Sequence, residues 1–289
     1  MPAPSGSSPG PLQPSRVLNV EENVTYPETF EVVHSRHLKE SDTVIILIGL
    51  VGTGKTAFIS EVLGQDVGIG SRLARETAEV RGYRFRLPRM DEDLVLVDTP
   101  GFEDHSDDYE ILETIANWLE QMYLRKVRFS GILLLHRITD NLARPVVWKH
   151  LQSFENIYET QLFSRVLFVT TMWNDRTDKV FVQRERELVS IFWGYMINQG
   201  ARTIRFQKVT HAAALRVIRF LQEDRGEPPL EPKPGRIPEL IRELRWRKNG
   251  AGSQSTGIVQ VAKHGLHESL ESAHRKLGQF LKFLEGKSS

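Results

Sequence analysis

Gly49-Leu-Val-Gly-Thr-Gly-Lys-Thr56 decides how this chain is read. The octapeptide fits G-x-x-x-x-G-K-[ST]. It follows the apolar run Val44-Ile45-Ile46-Leu47-Ile48 and opens a helical pattern at about 55–63. A strand, a glycine-rich loop and a helix N-terminus in that order form a cradle for phosphate. Glycine lets backbone approach oxygen with no Cβ in the way. Gly49, Gly52, Thr53, Gly54, Lys55, Thr56 and Ala57 are therefore the expected nucleotide-binding residues. Lys55 is expected to bridge the β- and γ-phosphates, and the Thr56 hydroxyl to ligate Mg²⁺.

Working outward, apolar runs recur at Leu94–Val97, Ile132–Leu135 and Val166–Val169. Continuous runs of this kind suit strands buried on both faces of a parallel sheet. Residues 79–86 alternate apolar and basic, which predicts a more exposed strand at an edge. A weaker strand is expected at 203–209, and Phe30–Val33 offers a short one. Helical patterns lie at about 109–126, 144–160, 178–197 and 211–222. Alternating strands and helices predict a three-layer α/β domain with a mostly parallel sheet. We place it at 41–223, behind a proline- and glycine-rich leader, 1–40, that reads as largely disordered. Glu223–Pro238 holds five prolines, so 224–257 reads as a linker with a short helix near 237–248. Residues 258–286 carry a leucine stripe of helical period.

Two further positions complete the phosphate chemistry. Asp98-Thr-Pro-Gly101 ends the Leu94–Val97 strand. Asp98 there can hold Mg²⁺ through water, and Gly101 can offer its N–H to a γ-phosphate. Thr77 precedes the alternating strand, where a switch loop supplies a hydroxyl to Mg²⁺ and the γ-phosphate. The catalytic set is thus Lys55, Thr77 and Gly101, and the metal set Thr56, Thr77 and Asp98. The base site departs from the guanine pattern N/T-K-x-D. It reads Thr171-Met-Trp-Asn174 and then Asp175. Met172 replaces the lysine whose stem covers the base, and Asn174 replaces the aspartate. Thr171, Asn174 and Asp175 are the expected base-side residues, and guanine and adenine both stay open. A Gln that would orient water after D-x-x-G is missing, because Phe102 stands there.

Composition narrows the rest. The chain of 289 residues has no cysteine, which excludes disulfides, thiolate metal sites and cysteine catalysis. Lys plus Arg is 38 against 37 for Asp plus Glu, which argues against nucleic acid as a partner. With no apolar stretch of membrane-spanning length and no secretory signal, the expectation is a cytoplasmic protein. The C-terminal helix is expected to dock on its own domain or to meet a helix partner; ten Lys and Arg against five Glu from Arg236 onward also permit it to lie peripherally on membranes.

The phosphate loop, Asp98-Thr-Pro-Gly-Phe102, His136-Arg-Ile-Thr-Asp-Asn141 and Val169-Thr-Thr-Met-Trp173 together resemble a group of fungal G-domain proteins. Those resemble in turn the immunity-associated nucleotide-binding GTPases and, more distantly, septins. The resemblance implies a Ras-like P-loop fold, GTP and GDP as ligands with Mg²⁺, slow GTP hydrolysis and a nucleotide-dependent homodimer. In such dimers the loop after the Ile132–Leu135 strand reaches the partner's site. His136, Arg137 and Arg144 are therefore expected to act in trans. Two alternatives remain: a nucleotide-binding scaffold with negligible turnover, and an ATP-using P-loop enzyme.

Overall fold

The computed structural model describes residues 25–68, 80–88, 92–102, 108–140, 154–155, 157–158, 161–173, 179–223 and 230–248. Residues 1–24 of the leader and the tail 258–286 lie outside them, whereas residues 30–33 of the leader form a strand of the sheet.

Seven strands form one sheet: β1 (Phe30–Val33), β2 (Asp42–Gly49), β3 (Arg81–Phe85), β4 (Asp93–Asp98), β5 (Arg128–Arg137), β6 (Val166–Thr171) and β7 (Arg202–Arg205). Their order is β1-β3-β4-β2-β5-β6-β7. The β4-β2-β5-β6-β7 portion is parallel, while β3 pairs antiparallel with both β4 and β1. Every residue of β2 is buried, as its unbroken apolar run requires. Val44, Ile46 and Ile48 face one helical layer, and Ile45 and Leu47 face the other. Helices α1 (Lys55–Leu63) and α6 (His211–Gln222) cover the second face. Helix α2 (Asp108–Leu124) and the short α3 (Gln161–Ser164) cover the first. The architecture is the three-layer Ras-like P-loop fold that the sequence predicts.

Three expectations are corrected. Strand β3 is not at an edge, because β1 pairs along its outer side. Gly82, Tyr83, Arg84 and Phe85 are all buried. A side chain at Gly82 would collide with Trp118 of α2, so the inner strand needs glycine there. The helix expected at 178–197 is broken into α4 (Lys179–Glu187), a π-helical turn (Leu188–Phe192) and α5 (Gly194–Asn198). The π turn delivers Trp193 to the core, where its ring stacks on Phe168 at 4.4 Å. Beyond the proline-rich segment the expected short helix forms as α7 (Arg236–Lys248), but it packs on the domain instead of lying in a linker. Its Ile237, Leu240, Ile241 and Leu244 are buried in the same cluster as Leu112, Ile115 and Leu119 of α2. Among the described residues no helix is long and apolar enough to cross a membrane.

Candidate functional site

The carboxyl ends of four parallel strands form one crest. The registers pair Leu47 with Asp98, Gly49 with Leu135 and Arg137 with Thr171. Ligands bind in the crevice outside such strand ends. The phosphate loop rises from β2 at the middle of this crest.

Within the loop, Gly52 and Gly54 have φ of +75° and +92°, the left-handed region that glycine enters without strain. Gly54 caps α1. Thr53 Oγ1 donates to Leu50 O at 2.9 Å and closes the turn. Lys55 reaches back and donates to Gly49 O at 3.1 Å and Leu50 O at 3.2 Å. Burial pushes its ammonium down to about 8, against an opposing pull from Asp98. A buried cation braced on two carbonyls is poised for an anion.

The structure brings Asp98 and Thr56 together: Thr56 Oγ1 donates to Asp98 Oδ2 at 2.7 Å. The two oxygens sit between the N-terminus of α1 and the end of β4. This donor set suits a hard divalent cation that keeps several waters, as Mg²⁺ does. Gly101 docks the end of β4 onto the loop. A Cβ there would lie 2.4 Å from Val51 Cγ2 and 2.5 Å from Val51 N, so only glycine permits the approach. Phe102 N donates to Gly49 O at 3.2 Å, and the Phe102 side chain is buried. Thr99 Oγ1 ties the same segment to Leu47 O at 2.7 Å.

On the other flank, Thr171 Oγ1 donates to Thr53 O at 3.0 Å, linking the base motif to the phosphate loop. Met172 has φ +59° and is half-exposed, with its Cε 3.7 Å from where a Gly54 Cβ would stand. Trp173 turns inward. Its indole N–H donates to Thr170 Oγ1 at 3.0 Å and Arg205 lies over its ring at 4.6 Å. Arg205 is in turn paired with Glu185. Trp173 therefore anchors the strand end and is not free to cover a base. Thr77, Arg144, Asn174 and Asp175 lie outside the described residues.

Two residues expected to act in trans make contacts within their own chain. His136 is buried, with its ring edge-on to Trp193 at 5.6 Å. The guanidinium of Arg137 packs on Gly52, its Nη1 3.1 Å from the position of a Cβ there. The sequence reading missed this contact, because nothing in the local pattern distinguishes an arginine turned onto the loop from one turned out. Burial pushes the His136 imidazole down to about 4, with Asp140 opposing and Arg137 and Arg184 adding to the effect. The unfolded chain takes up that proton near pH 6.5 and the folded one near 4. Stability contributed by neutral His136 is therefore full above pH 6.5 and is lost as pH falls toward 4, by about 3 kcal/mol. His136→Phe should flatten the urea-unfolding stability profile across this window. An unchanged slope would show that another group titrates.

Fold and site together define a P-loop nucleoside triphosphate-binding domain of the Ras-like class. Residues 44–170 match the family model described as 50S ribosome-binding GTPase. No curated protein matches the chain. Solved structures give distant likenesses. Toc33 from Arabidopsis thaliana in complex with GDP and Mg²⁺ is 11% identical, covering 73% of this chain and 86% of that one with a TM-score of 0.45. Era in complex with MgGDPNP and nucleotides 1506–1542 of 16S ribosomal RNA is 21% identical, covering 66% and 59% with a TM-score of 0.44. A bacterial selenocysteine-specific elongation factor is 18% identical, covering 62% and 28% with a TM-score of 0.44.

Proposed function

We propose that this protein is a GTP-binding switch that hydrolyses GTP slowly and is aided by dimerisation. One observation carries the reading: Lys55, Thr56 and Asp98 converge at the mouth of a glycine-rich loop, with Thr56 and Asp98 2.7 Å apart. Thr56 would ligate Mg²⁺ and Asp98 would hold it through water. When bound, the ion neutralises charge on the β- and γ-phosphates. Lys55 adds a buried positive charge beside the same oxygens, and Gly101 sets the strand end against the loop so that a γ-phosphate is sensed there. Thr77 would complete the switch from the segment before β3.

Turnover is slow in this reading because Phe102 occupies the position after D-x-x-G and is held in the core. No side chain there can orient water. The same observation favours a second reading, a nucleotide-dependent scaffold with negligible turnover. The resemblance to immunity-associated and septin-like GTPases supports a homodimer that supplies the missing group. Of His136, Arg137 and Arg144, the three residues expected to act in trans, the first two contact their own chain, which favours Arg144 for the role. Asp175, or Asn174, would contact the purine.

Calorimetric titration with GDP and ADP tests the base. We expect GDP to bind at least about tenfold tighter, since a polar site rejects analogues that leave it unpaired. Equal affinities leave the ATP-using alternative. Hydrolysis per molecule should rise with protein concentration and lose that rise in Arg144→Ala. A flat, near-zero rate up to high micromolar protein favours the scaffold.

A further inference from the structure

We propose that Arg137 is the nucleotide-positioning cation of this site: acting in cis, it flanks the purine–ribose end of the nucleotide and replaces the lysine that Met172 lacks. The inference rests on reading the crest as a nucleotide site, and three placements along the phosphate loop carry it.

Val51 is covered by Gly101, from β4. Gly52 is covered by the Arg137 guanidinium, from β5. Gly54 is approached by the Met172 methyl, from β6. The loop is thus lined in the order of the sheet, β4-β2-β5-β6. Its β4 side carries Asp98 and Gly101, the groups that address Mg²⁺ and the γ-phosphate. Its β6 side carries Thr171–Trp173, the remnant of the base motif. Arg137 pairs with Thr171 in the sheet register and lies on that base side, away from Asp98. A cation in this place addresses the part of the nucleotide that GDP and GTP share.

The lysine of a standard base motif would stand at 172, where Met172 has an apolar tip and no charge. The charge is supplied instead one strand over. Its side chain is held in place: Arg137 Nε lies 3.0 Å from Asp140 Oδ1, and Asp140 N donates to Arg137 O at 3.1 Å, closing a turn. About a third of the Arg137 side chain remains exposed, at 36%. That leaves guanidinium N–H groups available to an incoming ligand. Arginine suits the task because its planar fork both stacks on a ring and donates to oxygen.

The test uses the full chain at nanomolar concentration, titrated with GDP and with a non-hydrolysable GTP analogue. Arg137→Met keeps the bulk and removes the charge. It should weaken both nucleotides by a common factor of about ten or more, the scale of a lost charge-assisted hydrogen bond. Adding Met172→Lys to that variant restores a cation at the standard position and should recover most of the loss for both. A loss confined to the GTP analogue would assign Arg137 to the γ-phosphate and overturn the proposal. So would undiminished binding, or a double variant no better than the single one. Thermal unfolding of the unliganded variant checks that it folds. Should it not, Arg137→Lys is read instead: a smaller loss common to both nucleotides is expected, and a loss for the GTP analogue alone overturns the assignment. A wild-type chain that binds neither nucleotide removes the nucleotide-site reading itself, a result distinct from an Arg137 variant that binds as wild type does.

Discussion

Lys55→Ala should weaken triphosphate binding by two orders of magnitude or more while the protein still folds. Lys55 is buried, and its ammonium is braced by the carbonyls of Gly49 and Leu50 at the mouth of the loop. Removing one partner of a buried charge-assisted contact costs about 2–5 kcal/mol, because the other partner is left desolvated. Here that partner is the phosphate. The free protein stands to lose little, since burial already disfavours the charged form. The same residue gives the binding reaction a proton signature. With Lys55 pushed down to about 8 in the free protein, phosphate charge would raise it again. Nucleotide binding at pH 8 should therefore take up about half a proton, falling toward zero near pH 6. Calorimetry in buffers of differing ionisation enthalpy reads this directly. Lys55→Ala binding as tightly as wild type would end the phosphate-loop reading. Uptake that persists in the variant would assign the proton elsewhere.

Asp42→Ala should destabilise the fold by about 3–5 kcal/mol, the cost of stranding a buried charge. Asp42 has no exposed surface and Arg84 is 6% exposed. Arg84 Nε and Nη2 donate to the two oxygens of Asp42 at 2.9 and 2.8 Å. Asp42 also accepts from Lys39 N at 2.7 Å. Arg84 extends the network to Glu31 of β1 at 2.8 Å and to His37 O at 2.7 Å. The cluster ties β1, β2 and β3 together on the side of the sheet remote from the phosphate loop. Urea unfolding measures the loss. Asp42→Leu combined with Arg84→Met should recover much of it, because neither charge is then buried alone. A loss under about 1 kcal/mol in Asp42→Ala would mean that water reaches Arg84 and screens it.

The arginine-rich stretch 79–86 shows where sequence pattern and tertiary structure part. Alternation of Arg81, Tyr83, Arg84 and Phe85 looks like one wet face. From Gly82 to Phe85 it is buried, because residues 30–33 pair with 82–85 and bring Glu31 to Arg84. A buried ion pair and a solvated arginine are identical in a linear pattern. The distinction lies in a partner some fifty positions away. The proline-rich break after Glu223 misleads similarly. Prolines stop a helix, but they do not stop the next helix from laying its apolar face on α2.

What the sequence determined by itself was the local chemistry. The loop from Gly49 to Thr56 encodes its own left-handed turns, its cap and its lysine within eight consecutive residues. The buried strands announce themselves by unbroken apolar runs, so the layered α/β fold and the seat of Asp98 at a strand end follow directly. The tertiary structure decided everything that depends on strands separated in the chain standing side by side. It placed Thr56 within 2.7 Å of Asp98, turned His136 into the core against Trp193, and set Arg137 on its own phosphate loop. Backbone conformation is dictated by neighbours along the chain. The direction in which a side chain finds its contact is dictated by strand register and packing, which no local run of residues contains.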